Sequence, residues 1–450
     1  MSSKAKPTDI SIIRAQCGVE KVHYRTPLKF GGRVMTDTVL IDVEVTVENG
    51  RGEHASGFGA MPVGNIWAWP TVDLEPAQTE KAMCQFAEQM VGIAEDYNES
   101  GHPMELMYQL EAEYPFLSQS IATQLHLSEG PPELAQLVAA SALDAAVHDA
   151  YGRVNDMNSY QMLSSEFMND DLGEYLDDRF AGEYLDQYVS GDAVETLPLY
   201  HLVGALDPLT DDDIETRIND KRPETLVEWI QAEGLTHLKI KLNGDDLDWD
   251  VKRVIRVNEI ADQLDSTRAW HFSLDFNEKC EDVQYVHNFL DELARQTTTA
   301  MDRIQYIEQP MPRDLNGPPK HDVSSIAAKK PVVIDESLTG YESLLLAKEL
   351  GYTGVALKAC KGQTGSLLMA AAAQKFGMFL CVQDLTCPGA SFLQSAALAA
   401  HVPGVAAIEG NGRQYCPDAN KKWSHNVPPL FQITSGTVGT HALDGIGLGF

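Results

Sequence analysis

Five polar groupings close apolar runs in the second half of this chain: Lys239-Ile240-Lys241, Asp275-Phe276-Asn277, Glu308-Gln309-Pro310, Asp335-Glu336-Ser337 and Lys358. Side chains alternate along an extended strand, so Lys239 and Lys241 share one face and Ile240 takes the other. The same alternation pairs Asp275 with Asn277. Taken singly, a carboxylate after a strand is commonly a helix N-cap, and a terminal lysine commonly reaches to water. Taken together they predict more. Asp275, Glu308 and Asp335 converging on one point would repel each other unless a cation lay between them. A hard divalent ion, Mg²⁺ with Mn²⁺ as a substitute, accepts such oxygen ligands and leaves positions open for a substrate. Lysines side by side in a dry pocket have depressed pKa values and can take up a proton near neutrality.

The elements that would position these groups are short and regular. Strands are read at Leu197–Val203, His237–Leu242, Trp270–Phe276, Ile304–Glu308, Val332–Asp335, Gly354–Lys358, Phe379–Gln383 and Val405–Glu409, with helical stretches such as 249–264, 281–297, 341–350 and 364–376 between them. Strands that alternate with helix-sized gaps predict an α/β fold of the TIM-like (β/α) barrel type, whose functional groups gather at the C-terminal ends of the strands. An open doubly wound sheet is the competitor, but no GxGxxG or GxxxxGK[ST] follows a strand. Residues 10–60 read as strands, with a turn at Glu48-Asn49-Gly50-Arg51-Gly52, and 78–150 as helices, including one opened by Pro131-Pro132-Glu133. The division expected is 1–150 as an α+β cap, 151–414 as the barrel, and 415–450 folding back onto the cap. The acidic run 166–186, broken by Tyr and Leu, reads as a surface helix.

Composition narrows the function. Among 450 residues, 34 Lys and Arg against 66 Asp and Glu give a net charge of −32, which disfavours nucleic acid and anionic membranes as partners. Seven scattered cysteines without a CxxC pair argue against a disulfide framework or structural zinc and for a reducing compartment. The start, MSSKAKPTDISII, has no long apolar stretch. A cytoplasmic protein is expected. His148, mid-helix among alanines, reads as packed, and His201, His237 and His271 stand near strand starts, away from the expected site.

The barrel motifs together resemble those of the enolase superfamily, and within it the muconate lactonizing enzyme subgroup of the mandelate racemase and muconate lactonizing enzyme family. Weaker support comes from Ala142–Ala150 and from Asp444-Gly445-Ile446-Gly447-Leu448-Gly449. The resemblance spans residues 20–450 and implies an N-terminal α+β capping domain, completed by the C-terminal segment, over an enolase-type modified barrel. It implies Asp275, Glu308 and Asp335 as ligands of Mg²⁺. Lys241 would be the acid/base on one substrate face, Lys239 its neighbour lowering its pKa, and Lys358 the group on the other face. Asn277 and Glu336 would support them, Glu336 by pairing with Lys358. The shared step is removal of the proton α to a carboxylate, leaving an enediolate. Racemisation, epimerisation or cycloisomerisation of a small-molecule carboxylate follows from lysines on two faces. A syn-dehydratase resembling o-succinylbenzoate synthase, a metal-dependent aldolase barrel and a non-catalytic metal-binding barrel are the alternatives. A homo-oligomer is expected from the fold's relatives.

Some positions depart from the family pattern. Gly57-Phe58-Gly59 is followed by Ala60 where a glutamate is usual, and Lys361 rivals Lys358. The seventh strand ends in Gln383-Asp384 instead of a histidine, and the eighth in Glu409-Gly410-Asn411-Gly412-Arg413, without the paired aspartates of dipeptide epimerases. Gln383, Asp384 and Arg413 are taken as substrate-facing groups, Arg413 as a reader of a distal carboxylate. The loops Arg25–Arg33 and Gly57–Trp69 would close over the barrel, with Phe58, Met61, Trp67 and Trp69 as an apolar lid favouring an aromatic or alkyl acid.

Overall fold

The computed structural model describes residues 5–30 and 33–450. Met1–Lys4, where the amino-terminal stretch read above begins, and Gly31 and Gly32, within the expected lid loop Arg25–Arg33, lie outside the described residues.

The cap begins with three antiparallel strands in the order β1 (Ile10–Phe30), β2 (Arg33–Asn49) and β3 (His54–Pro62). In β2 the apolar members of the alternating run, Ile41, Val43, Val45 and Val47, are each at most 1% exposed. Burying side chains of this size is worth about 1.5–3 kcal/mol each. The helices α1 (Pro76–Glu95), α2 (Pro103–Glu111), α3 (Tyr114–Leu125) and α4 (Glu133–Val154) pack behind this sheet. Pro at the first turn costs α1 and α2 nothing, because that N–H has no intrahelical partner. The alanines of α4 let β3 come close. A Cβ at Gly57 would sit 2.1 Å from the Ala150 nitrogen, and one at Gly59 would sit 1.9 Å from the Ala142 oxygen. The GxG motif therefore serves backbone-to-backbone packing.

Eight parallel strands follow: β4 (Thr196–Val203), β5 (His237–Lys241), β6 (His271–Asp275), β7 (Ile304–Glu308), β8 (Val332–Ile334), β9 (Gly354–Leu357), β10 (Phe379–Val382) and β11 (Val405–Glu409). Each pairs with the next, and β11 pairs with β4, so the sheet closes into a barrel. The helices α5 (Leu226–Glu233), α6 (Leu247–Asp265), α7 (Val283–Gln296), α8 (Tyr341–Glu349), α9 (Gln363–Lys375) and α10 (Ala390–His401) cover it. Their ends are written in the sequence. Thr225 accepts from the Glu228 N–H in a capping box at the start of α5, and Gly234 closes that helix at φ 66°. Tyr200, Tyr306, Val333, Ala356, Cys381 and Ala407 form a separate buried cluster that fills the lumen.

A last strand, β12 (Thr437–Gly439), runs antiparallel to the start of β4. The chain then returns to the cap. Asp149 of α4 accepts from Leu448 N at 2.9 Å, from Phe58 N at 3.0 Å and from Arg153 Nε at 2.7 Å, while Arg153 Nη2 donates to the Phe450 carbonyl at 2.6 Å. One buried carboxylate thus ties helix, sheet and tail together.

The segment 166–186 is not a surface helix. It folds as short turns, Leu172–Tyr175, Asp178–Phe180 and Leu185–Gln187, with Leu172, Tyr175, Phe180 and Leu185 buried. Its aspartates cap those turns: Asp171 accepts from Gly173 N and Gly182 N, and Asp177 from Arg179 N. Side chains that bond nearby backbone N–H groups compete with a continuous helix, and here they win. No helix among the described residues is long and apolar enough to cross a membrane.

Candidate active site

The strand register brings the polar groups to one level. Lys241 stands opposite Asp275, and Asp275 opposite Glu308, in the paired strands β5, β6 and β7. Asp335 follows β8 directly and Lys358 follows β9. None of Lys239, Lys241, Asp275, Glu308, Asp335 and Lys358 is more than 7% exposed. Lys239, Lys241, Glu308, Asp335 and Lys358 line a cavity of about 360 Å³ between the barrel mouth and the cap.

Each lysine is held by carboxylates. Lys239 Nζ lies 2.9 Å from Glu308, 3.1 Å from Glu409 and 3.4 Å from Asp275. Lys241 Nζ donates to Asp275 and, at 3.1 Å, to Asn277 Oδ1. Lys358 Nζ lies 2.6 Å from Asp335 Oδ2 and 4.3 Å from the centre of the Trp67 ring. Lys361 is 3.3 Å from the same carboxylate and donates to the Asp335 carbonyl. Asp335 is positioned in turn by Gln309, whose Oε1 accepts from Asp335 N at 2.8 Å. After Asp275 the backbone turns through two left-handed residues, Asn277 at φ 51° and Glu278 at φ 59°. Such residues cost about 1–3 kcal/mol each. The forked bond from Arg313 to Glu278, with Nη2 at 2.6 Å and Nε at 2.9 Å, holds that turn.

Charge decides the protonation. Burial, then the nearby Asp275, pushes Glu308 well above the usual carboxylate range. Burial also raises Glu336, with Asp335 adding to it, and burial with Glu409 brings Asp384 to about 6. Burial opposes the charge on Asp335 too, but Lys358 and Lys361 overcome it and hold that group at about 2. Lys361 follows the expectation of a depressed lysine, because burial dominates. Lys239 and Lys358 do not. Burial would lower both, but Glu308 and Glu409 around one and Asp335 beside the other raise them.

The donor set fits a divalent cation by its charge. Six carboxylates (Asp275, Glu308, Asp335, Glu336, Asp384, Glu409) and four lysines (Lys239, Lys241, Lys358, Lys361) are buried here, so with all of them ionised the excess is 6 − 4 = 2 negative charges. Asp275, Glu308 and Asp335 come from adjacent strands and carry the oxygen ligands that Mg²⁺ favours. As they stand, no three His, Cys, Asp or Glu side chains among the described residues are grouped around an ion position. The acids are turned to the lysines, so holding a cation means exchanging part of those ion pairs.

Other expected groups make different contacts from those read, although Glu336 and Asp384 do line the cavity. Glu336 does not pair with Lys358; its Oε1 accepts from Trp67 Nε1 at 2.9 Å, and Asp335 takes the lysine. Gln383 donates to Glu308 and to the Tyr306 hydroxyl, and Asp384 accepts from Cys387 N at 2.6 Å, so both brace the site. Arg413 is absent from the cavity wall. It is buried 2.8 Å from Glu233 and stacks over Trp229, with its ring-to-guanidinium distance 4.9 Å. Of the apolar lid only Trp67 lines the cavity; Trp69 Nε1 bonds Glu129, Phe58 stacks on Trp423 and Met61 touches Cys387. Glu409 was missed as a site residue, although its place at the end of the eighth strand was a signal. His148 bonds Thr364, as a packed histidine does.

A closed parallel barrel, capped by an α+β layer and carrying buried acids and lysines at its strand ends, defines a capped (β/α)-barrel protein with a polar cavity at the cap interface. The family model for enolase C-terminal domain-like proteins matches residues 222–450, just over half the chain. The chain belongs to the enolase superfamily. No curated protein matches it. Solved structures of the mandelate racemase and muconate lactonizing enzyme type share its fold across nearly the whole length. An enolase from Bradyrhizobium complexed with magnesium and mandelic acid matches at a TM-score of 0.64 and 17% identity, covering 98% of this chain and 96% of that one. The muconate lactonizing enzyme from Pseudomonas fluorescens complexed with muconolactone matches at 0.60 and 17%, with 98% and 96% covered. The dipeptide epimerase from Enterococcus faecalis complexed with Mg and L-Leu-L-Tyr matches at 0.64 and 16%, with 98% and 99% covered.

Proposed function

We propose that this chain is a Mg²⁺-dependent enzyme that removes the proton α to a carboxylate and returns it, racemising or epimerising the substrate, or cycloisomerising it where a ring closes. The observation that carries this reading is the placing of the lysines. Lys241 ends β5 and Lys358 follows β9, strands four apart in a closed ring of eight, so they stand across the lumen with Asp275, Glu308 and Asp335 between them. Lysines on opposite sides allow one to take a proton from one substrate face while the other supplies it to the opposite face, a transfer that a syn-elimination does not need. The complexes of the Bradyrhizobium relative with magnesium and mandelic acid, and of the Enterococcus relative with Mg and a dipeptide, support the same substrate class here.

A divalent cation on Asp275, Glu308 and Asp335 supplies the positive centre for the second negative charge that a carboxylate acquires when its α-proton leaves. The chain's own groups do the rest. Lys241, steered by Asn277, serves one face at Nζ. Lys358, held over Trp67, serves the other. Lys239 keeps Glu308 and Glu409 apart by bonding both. Trp67, Phe30 and Leu385 in the cavity wall limit water, which strengthens every charge interaction inside.

The test is deuterium wash-in: protein with Mg²⁺ in D₂O against pooled N-acyl amino acids, dipeptides, muconates, hydroxy acids and sugar acids, read by mass spectrometry. A one-unit gain that needs Mg²⁺ is expected. Lys241→Ala and Lys358→Ala should each slow it by about 10²–10⁴-fold. Exchange that survives both substitutions would overturn the assignment.

A further inference from the structure

The long hairpin β1–β2 reaches from the cap to the barrel mouth, and its pairing breaks on the way. His23 faces Asp37 and the next regular pair is Leu28 with Met35, so four residues, 24–27, stand against Thr36 alone. Arg25 lies within this bulge. Its guanidinium forms a forked ion pair with Asp220, Nε to Oδ2 at 2.6 Å and Nη2 to Oδ1 at 2.9 Å, and Nη1 donates to the Pro223 carbonyl at 3.2 Å. Although at the surface of the barrel mouth, the Arg25 side chain is only 8% exposed.

Asp220 is presented with care. It belongs to the connection between β4 and α5, and its neighbours Asn219 and Lys221 are both left-handed, at φ 61° and 70°. Asp220 Oδ1 also accepts from Arg222 N at 3.1 Å, and Glu224 accepts from Ile218 N and Asn219 N, which pins the bend on both sides. Strained backbone of this kind persists where surrounding bonds hold it. Past the bulge, Leu28, Phe30 and Met35 line the cavity, and the Phe30 ring lies 4.9 Å from Lys241 Nζ.

We infer that Arg25 and Asp220 form a strap between cap and barrel that holds the end of β1, and with it Phe30, over Lys241, so that the pair governs access to the site. Arg25 and Asp220 are positioning residues. They touch nothing in the cavity chemistry and act through Phe30. The functional importance of the covered lysine rests on the assignment proposed above, but the strap itself does not. A planar fork matched to a carboxylate is the geometry that fixes orientation as well as contact, and a lysine cannot reproduce it.

The experiment therefore needs no substrate. The full chain is labelled with trinitrobenzenesulfonate, and the rate at Lys241 is read by peptide mass spectrometry against Lys421, a remote lysine whose side chain is 71% exposed. D220N, R25K, R25A and the double variant R25A/D220N are compared after thermal melts have shown each to be folded. D220N and R25A should each raise the Lys241 rate about five-fold relative to Lys421, a factor equivalent to about 1 kcal/mol. R25K should fall between wild type and R25A, and the double variant should gain no more than a single one. D220N replaces one loop side chain by its isostere, so it keeps the test available if R25A does not fold. Unchanged Lys241 labelling in D220N, or effects that multiply in the double variant, would overturn the strap. Labelling that responds while no acid in the panel exchanges deuterium would leave the strap standing and count against the proposed reaction instead.

Discussion

The charge imbalance in the cavity predicts how cation binding depends on pH. Without a cation, a proton relieves one of the two excess negative charges, and burial, with Asp275 beside it, favours Glu308 as the group that takes it. Binding a divalent ion requires Glu308 ionised, so binding releases that proton. The sign follows directly: below the raised pKa of Glu308, affinity for Mg²⁺ climbs with pH, and it levels off above that value. One proton released corresponds to about tenfold in affinity per pH unit, or about 1.4 kcal/mol, over the range in which Glu308 titrates. Isothermal calorimetry at each pH, repeated in two buffers of different ionisation enthalpy, reads both the affinity and the number of protons. Glu308→Gln removes the titrating group and should weaken binding and flatten the slope together. Mg²⁺ binding that is independent of pH, with the same heat in both buffers, would refute the reasoning, and no binding at any pH would refute the metal assignment itself.

Two further outcomes test the fold. Gly59→Val places side-chain atoms where the Ala142 carbonyl already stands, and neither backbone can yield without parting β3 from α4; a loss of about 3 kcal/mol or more is expected in urea unfolding. His102 is fully buried, caps α2 by accepting from Met104 N, and burial holds its pKa at about 3. It stays neutral in the fold and charges in the unfolded chain, so its contribution is complete above the unfolded value near 6.5 and declines as pH falls below it. His102→Asn keeps a capping oxygen and should flatten the pH dependence of stability between pH 6 and 4 by about 1.4 kcal/mol per unit; an unchanged slope in the urea midpoints would count against a buried neutral histidine.

The barrel was legible because its signals are local. Each strand is a short apolar run that must be buried on both faces, and five successive ones carry polar groups at the end that opens to the mouth, so Lys239, Lys241, Asp275, Glu308, Asp335 and Lys358 could be placed by counting along the chain. The turn at 48–52 and the proline-led helices were legible for the same reason, since turn and cap chemistry acts over a few residues. The acidic run misled because its composition suits a solvated helix as well as it suits capped turns. Only the apolar partners buried beneath Leu172, Tyr175 and Phe180 decide between them.

What the sequence by itself determined is therefore the kind of elements, their order and the chemistry available at their ends. The tertiary structure decided which of those groups meet. Arg413 turns to Glu233, which is 180 residues away in the chain, and Glu336 takes Trp67 from the cap in place of Lys358. Lys361 joins Lys358 on Asp335, and Glu409 completes the cage around Lys239. Arg25 finds Asp220 across the cap–barrel junction. None of these pairings has a local signature, because a charged side chain that loses its hydration on burial takes whichever opposite charge the closed fold brings within reach.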